Sequence, residues 1–496
     1  MFLGGFYETE TGENVNRNIK KNLGLQTAYQ ILSAFAPLVT APYLARRLGA
    51  SQLGVFSYTT SIVSYFTLFA MLGTVNYGTR SIAAAREDRQ KRSEIFTSIF
   101  TLQICISLLT IVAYLIYLTF FCKSNYIIAW LQGIAVINCI LDINWLYFGI
   151  EEFKITVTRN FVVKILTIGL ILILVKSQTD LWKYTVIMLT GTLASNFFLF
   201  IHLPRYVKFT RVSVAEIIKH IKPNLILFVP VLAMTVYHTM DKTMLGLMST
   251  YEQGGFYYNS DKIVQIPLLI VNGIGTVMLP RMTALLAEGN RKGADELFYT
   301  TLDGVSVVCI AIGCGIAATS REFIPLFFGV GYESCIRITI VFTPILLFKG
   351  VSTIVRTQYL IPMKMEKDFT KSVIGGAIVN VVLNYFLIPP YGALGAAIAT
   401  VVAEAVACVF QLYSLRNRDI GLCSLSIRAG VYLVFGITMI GLVKMVSFIP
   451  VGSVIKLLMA ILVGACYYSC ACLVFWKKTN NPFCRMIEGS RRGKQN

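Results

Sequence analysis

Of the charged residues within or at the ends of long apolar runs, ten are taken as the side chains of the 496-residue chain best placed to do chemistry. Arg46 and Arg47 close the first run. Asp241-Lys242 and Asp261-Lys262 lie near the ends of two runs in the second half. Lys349 and Arg356 are seven residues apart, two helical turns, and so share a face. Asp142 and Glu404 are isolated acids, Glu404 following the small-residue run Gly395-Ala-Ala-Ile-Ala-Thr. An unpaired charge in mid-bilayer costs between about 3 and more than 10 kcal/mol. Each of these residues must therefore find a partner in the protein, reach a headgroup, or line a polar path. Arg46 and Arg47 either snorkel to headgroups or line a cavity. The Asp-Lys pairs either hold helices together or form a lining whose pairs reshuffle. Asp142 and Glu404 are candidates for exchanging a proton or Na⁺, or for pairing with a nearby Lys or Arg. The chain shows neither a Gly-rich phosphate cradle nor paired carboxylates, so no catalytic residue is assigned. The 12 Cys are scattered through apolar runs, and the three His are too few for a histidine-rich metal site. No metal site or cofactor is expected.

The elements that must position these charges are transmembrane helices. The chain is 56% hydrophobic and 14% charged, with a mean hydropathy of +0.68, whereas an average soluble domain is about 25% charged. The net charge of +19 comes mostly from short loops between apolar runs. Without interleaved basic and aromatic motifs it does not indicate nucleic acid. Apolar segments run from 23–44 to 452–476, about fourteen at roughly 20 residues per crossing. Putting the N-terminus in the cytoplasm places thirty of the 44 Lys and Arg on the cytoplasmic side and seven on the outer side, a consistent positive-inside pattern. The acidic N-terminal stretch lacks the basic start and cleavage site of a signal peptide and is expected to be a tail.

An internal repeat divides the helices. Ser51-Gln-Leu-Gly54-Val-Phe-Ser-Tyr58 matches Glu252-Gln-Gly-Gly255-Phe-Tyr-Tyr-Asn259 at an offset of 201. Tyr147-Phe-Gly-Ile-Glu-Glu-Phe-Lys154 matches the segment from Tyr359 to Lys367 at an offset near 212. The expected organisation is a cytoplasmic tail at 1–21, an N-lobe of helices 1–6 at 22–203 and a cytoplasmic connection at 204–222. A C-lobe of helices 7–12 follows at 223–414, then helices 13–14 at 415–476 and a cytoplasmic tail at 477–496. Two parallel six-helix repeats place a substrate site between the halves and suit alternating access.

Ala45-Arg46-Arg47-Leu-Gly49, Asp142-Ile-Asn-Trp145, Met278-Leu-Pro280-Arg281-Met and Asn380-Val-Val-Leu-Asn384-Tyr-Phe-Leu-Ile-Pro389-Pro-Tyr-Gly392 occur in that order. Together they resemble the polysaccharide (O-antigen type, Wzx-like) flippases of the multidrug/oligosaccharidyl-lipid/polysaccharide exporter superfamily. The resemblance implies an all-α polytopic fold of about 14 helices, with two six-helix lobes in a MATE-like V shape plus two C-terminal helices. It implies a non-enzymatic flippase in the bacterial cytoplasmic membrane that carries undecaprenyl-diphosphate-linked oligosaccharide to the outer leaflet. Membrane lipids, a polysaccharide polymerase and glycosyltransferases are the implied partners. Arg and Lys suit phosphate oxygens, so Arg46, Arg47, Lys242, Lys262, Lys349 and Arg356, with Asp241 and Asp261, are the candidate cavity residues. The alternatives are a multidrug cation antiporter, which would favour an acidic cavity, and a lipid II flippase. A membrane glycosyltransferase or polymerase would need a longer outer loop than any seen here.

Overall fold

The computed structural model describes residues 12–416, 421–446 and 448–479. Parts of the expected tails, residues 1–11 and 480–496, lie outside the described residues. All regular structure among the described residues is helical, as lipid demands when every backbone polar group must be satisfied within its own segment. The first nine helices are α1 (Gly12–Met71), α2 (Thr74–Ala84), α3 (Arg89–Phe120), α4 (Tyr126–Leu141), α5 (Asn144–Gly149), α6 (Phe153–Leu174), α7 (Leu181–His202), α8 (Val214–Ile218) and α9 (Ile221–Met248). They are followed by α10 (Tyr251–Ala287), α11 (Arg291–Phe328), α12 (Ser334–Phe342), α13 (Pro344–Val355), α14 (Glu366–Tyr391), α15 (Ala393–Tyr413), α16 (Leu422–Val446) and α17 (Ser453–Lys478).

Thirteen described stretches are long and apolar enough to cross a membrane. The first, Phe35–Ala84, has 50 residues, about 75 Å of helix against a hydrocarbon core of about 30 Å. It is broken at Gly49, whose φ of 79° and ψ of 168° leave the helical region; positive φ is open chiefly to glycine. About fourteen expected segments thus correspond to thirteen stretches, one of them double.

Packing divides the chain into two compact units, Met1–Gly255 and Phe256–Asn496. The division falls one helix later than the 204–222 connection, because α9 packs on α1. In the first unit α1 also packs on α3, α4 and α6. A buried cluster of Phe96, Trp145, Tyr147 and Leu199 ties α3, α5 and α7 together. Near Gly54 the backbones of α1 and the first turn of α10 nearly touch. A Cβ on Gly54 would lie 1.6 Å from the Tyr251 carbonyl oxygen, and one on Gly255 would lie 1.9 Å from that of Ala50. Small residues at a helix crossing permit such an approach, and these two glycines are the pair that the internal repeat aligns.

In the second unit α14 and α15 form an antiparallel pair, with Ala393, Ala396, Ala397 and Ala399 fully buried. The Gly392–Ala399 run is thus close helix packing. The C-terminal helices α16 and α17 pack on α11, where Tyr432, Met439, Tyr468 and Cys472 complete a buried cluster with Ile310.

Candidate functional site

Two of the ten charges meet in the second unit. Lys349 Nζ on α13 lies 3.1 Å from Glu404 Oε1 on α15, with 18% and 6% of the two side chains exposed. Glu404 thus has a cation beside it, in keeping with the pairing reading of this acid. Two turns further on, α13 ends in a single π turn over Arg356–Leu360, where the Ile361 N–H donates to the Arg356 carbonyl at 2.9 Å. Such turns are rare and concentrate at functional sites. The Arg356 guanidinium stands 5.6 Å from the centre of the Phe369 ring on α14, and the described residues give it no acidic partner. In the same turn Gln358 is fully buried, and both its amide atoms lack a hydrogen-bond partner. One helix therefore carries a paired cation and, about 10 Å along, one that faces an aromatic ring and no carboxylate among the described residues.

Asp261 and Lys262, on α10, are half-buried. Asp261 accepts a hydrogen bond from Gln265 Nε2 at 3.0 Å, and Lys262 Nζ sits over the Tyr258 ring at 4.0 Å.

In the first unit Arg46 and Arg47 are exposed, Arg47 lying 5.7 Å from the Tyr43 ring. Tyr43 fixes that end of the helix by donating to the Val175 carbonyl at 2.7 Å. Asp241 is buried at 4% exposure and Lys242 half-buried, beside a polar contact in which Thr243 donates to Ser61 at 2.9 Å. Asp142 interrupts the fourth crossing between α4 and α5. Its Oδ1 accepts from the backbone N–H of Asn144 at 3.1 Å and from that residue's Nδ2 at 2.6 Å.

Two further charged groups were not among the candidates. Arg159 lies inside α6 at 6% exposure. Its guanidinium donates to Asn144 Oδ1 at 3.0 Å, Asn160 Oδ1 at 2.8 Å and the Ser195 carbonyl at 3.1 Å. Asn144 thus bridges Arg159 to the Asp142 carboxylate, in a polar network that runs from the end of α4 to α7. Arg428 meets Asp303 of α11, itself 1% exposed. The Nη1–Oδ2 distance is 3.3 Å, and Tyr432 donates to Asp303 Oδ1 at 3.0 Å. Trp476 of α17 donates to the Tyr432 hydroxyl at 3.0 Å. An acid inside an apolar run and a cation at the start of another were visible signals for this second cluster. Among the described residues no group of three or more His, Cys, Asp or Glu is placed to hold a metal.

These clusters place charge inside a membrane protein, and comparison with known proteins shows the family to which the chain belongs. A family model described as polysaccharide biosynthesis protein matches residues 19–286, more than half of the chain. The chain belongs to this family. An Escherichia coli (strain K12) protein named "Putative O-antigen transporter" is 22% identical over 417 residues, covering 83% of this chain and all of the relative. The solved structure of "Lipid II flippase MurJ, inward closed conformation" superposes with a TM-score of 0.71 at 16% identity, over 92% of this chain and 99% of that one. An inward-facing multidrug resistance MATE family transporter of the MOP superfamily gives 0.58 at 14% identity, over 79% and 99%. At such identities the structures show the fold: this family member has the helical architecture of the MOP transporters.

Proposed function

We propose that the protein is a flippase that carries undecaprenyl-diphosphate-linked oligosaccharide from the inner to the outer leaflet of the cytoplasmic membrane, by alternating access, for surface polysaccharide assembly. The observation that carries this reading is Arg356. A guanidinium without an acidic partner among the described residues, in an apolar helix, is costly unless an anion visits it, and a diphosphate is a fitting one. Lys349, held by Glu404 until a stronger anion competes, is the second contact on the same helix face. Arg46, Arg47, Lys242 and Lys262 are further candidate substrate contacts, each within its own unit. The family assignment and the O-antigen transporter relative support a lipid-linked glycan as cargo, and the MurJ-like fold supports flipping. The positive-inside pattern supports cytoplasmic termini. The work is transport, not bond-making: a sugar needs a hydrated route, while its tail stays in lipid.

Purified protein in liposomes containing a fluorescent polyprenyl-diphosphate sugar tests the reading. The expected result is transfer of the headgroup across the bilayer, lowered about tenfold by Arg356→Gln. A deletion strain should accumulate the lipid-linked sugar on the cytoplasmic face. Liposomes that move no such lipid, with surface polysaccharide intact in the deletion strain, would overturn the proposal. Proton and Na⁺ gradients imposed in the same liposomes test whether Asp142 or Glu404 couples transport to an ion.

A further inference from the structure

The helix pair that holds the Lys349–Glu404 ion pair also carries an apolar groove of about 530 Å³. Its walls include Phe348 of α13 and Val402, Val406, Val409 and Phe410 of α15, and it ends at Tyr413. Val402, Val406, Val409 and Tyr413 recur at helical spacing and share a face, so the groove follows about 16 Å of α15. Val409 and Tyr413 are 62% and 59% exposed. The volume lies within the range of ligand sites, about 300–1,000 Å³. At the Tyr413 end the groove meets a cation, the Arg416 guanidinium, 4.0 Å from the ring centre. Phe348 and Lys349 are neighbours in sequence, as are Glu404 and Ala405. One helix pair thus presents hydrocarbon and a terminal cation on an exposed face, and charged groups on a buried one.

That division matches an amphiphile whose anionic head must leave the membrane surface while its tail stays in hydrocarbon. We propose that the groove seats the polyprenyl tail of the lipid-linked sugar, with its phosphate end at Arg416, as the loading site from which the head passes inward. The assignment rests on the transport reading above and adds where the tail docks. Charge complementarity selects the occupant. The cation stands at the end of the groove and the apolar wall runs on from it, the order of head and tail in a prenyl diphosphate anchored at one leaflet.

The test uses full-length protein in liposomes and two probes with the same diphosphate sugar, one on an undecaprenyl tail and one on a geranyl tail too short to fill the groove. Val406→Trp, which fills the groove, should raise KM for the undecaprenyl probe about tenfold and leave kcat and the geranyl KM within about twofold. Arg416→Gln should raise KM for both probes, and Arg416→Lys should restore most of it. The geranyl probe doubles as the folding control. Equal effects of Val406→Trp on both probes would overturn the proposal. So would an unchanged undecaprenyl KM in Arg416→Gln, or competition by phosphatidylglycerol as effective as that by undecaprenyl phosphate, which would make the groove an ordinary lipid contact. Wild-type protein that moves neither probe would instead overturn the transport reading itself, and this site with it.

Discussion

The two units each set an arginine inside the helical bundle, Arg159 buried and Arg356 half-buried, and they treat it in opposite ways. Arg159 in the first unit is wrapped by three oxygen acceptors and linked through Asn144 to the Asp142 carboxylate. Arg356 in the second unit meets an aromatic face and no carboxylate among the described residues. A satisfied buried polar network rigidifies its surroundings, and a cation left without a counter-charge is where an anionic cargo gains most. Burial alone therefore does not mark a transport residue; what the charge lacks marks it. Lys349 stands between the two cases, paired but partly exposed.

Substitutions can break this contrast, beginning with the largest expected effect. Arg159→Met should strip one buried and two part-buried acceptors of their donor, a loss of about 1–3 kcal/mol for a buried one and less for the others, and lower stability by about 3 kcal/mol in all. Thermal unfolding in detergent reads this, while transport per folded molecule should stay near wild type. If instead Arg159→Met transports poorly yet melts normally, the contrast is lost. Glu404→Leu leaves Lys349 without its carboxylate and should cost about 2–3 kcal/mol, reduced from the fully buried case because Lys349 is partly exposed. Arg356→Gln should do the reverse of Arg159→Met, with the melting temperature unchanged or raised and initial transport rates down about tenfold. Replacing both partners together, Lys349→Met with Glu404→Met, should change stability by less than about 1 kcal/mol. Comparison with the two single variants in a double-mutant cycle measures the coupling. Arg47→Gln should be the mildest, within about 0.5 kcal/mol, since the side chain is exposed at a helix end.

The helices were legible because lipid imposes long apolar runs, and the repeat was legible at Gly54 and Gly255 because a close backbone crossing tolerates little else. The break at Gly49 was readable only as a loop between two apolar runs, though α-helix continues on both sides of it. The partnerships were hidden for a plain reason. Lys349 and Glu404 are 55 residues apart, and Asp303 and Arg428 are 125 apart, so no local spacing relates them. The burial of Arg159 was hidden because the polar stretch around Glu151 and Glu152 reads as a loop that extends past it, whereas α6 already begins at Phe153. Asp142 carries a sequence-level ambiguity that geometry narrows: its carboxylate is engaged by Asn144, which holds the helix break.

The cluster of Asp303, Arg428, Tyr432 and Trp476 has a consequence for how the protein is made. Asp303 leaves the ribosome 125 residues before Arg428, which at about 5–20 residues per second is roughly 6–25 s. During that interval α11 must sit in or beside the insertion machinery with a carboxyl group whose cation has not yet been synthesised. Full embedding of α11 thus waits for the last two helices. A chain stalled before residue 428 would hold Asp303 in α11 without the Arg428 guanidinium or the Tyr432 hydroxyl.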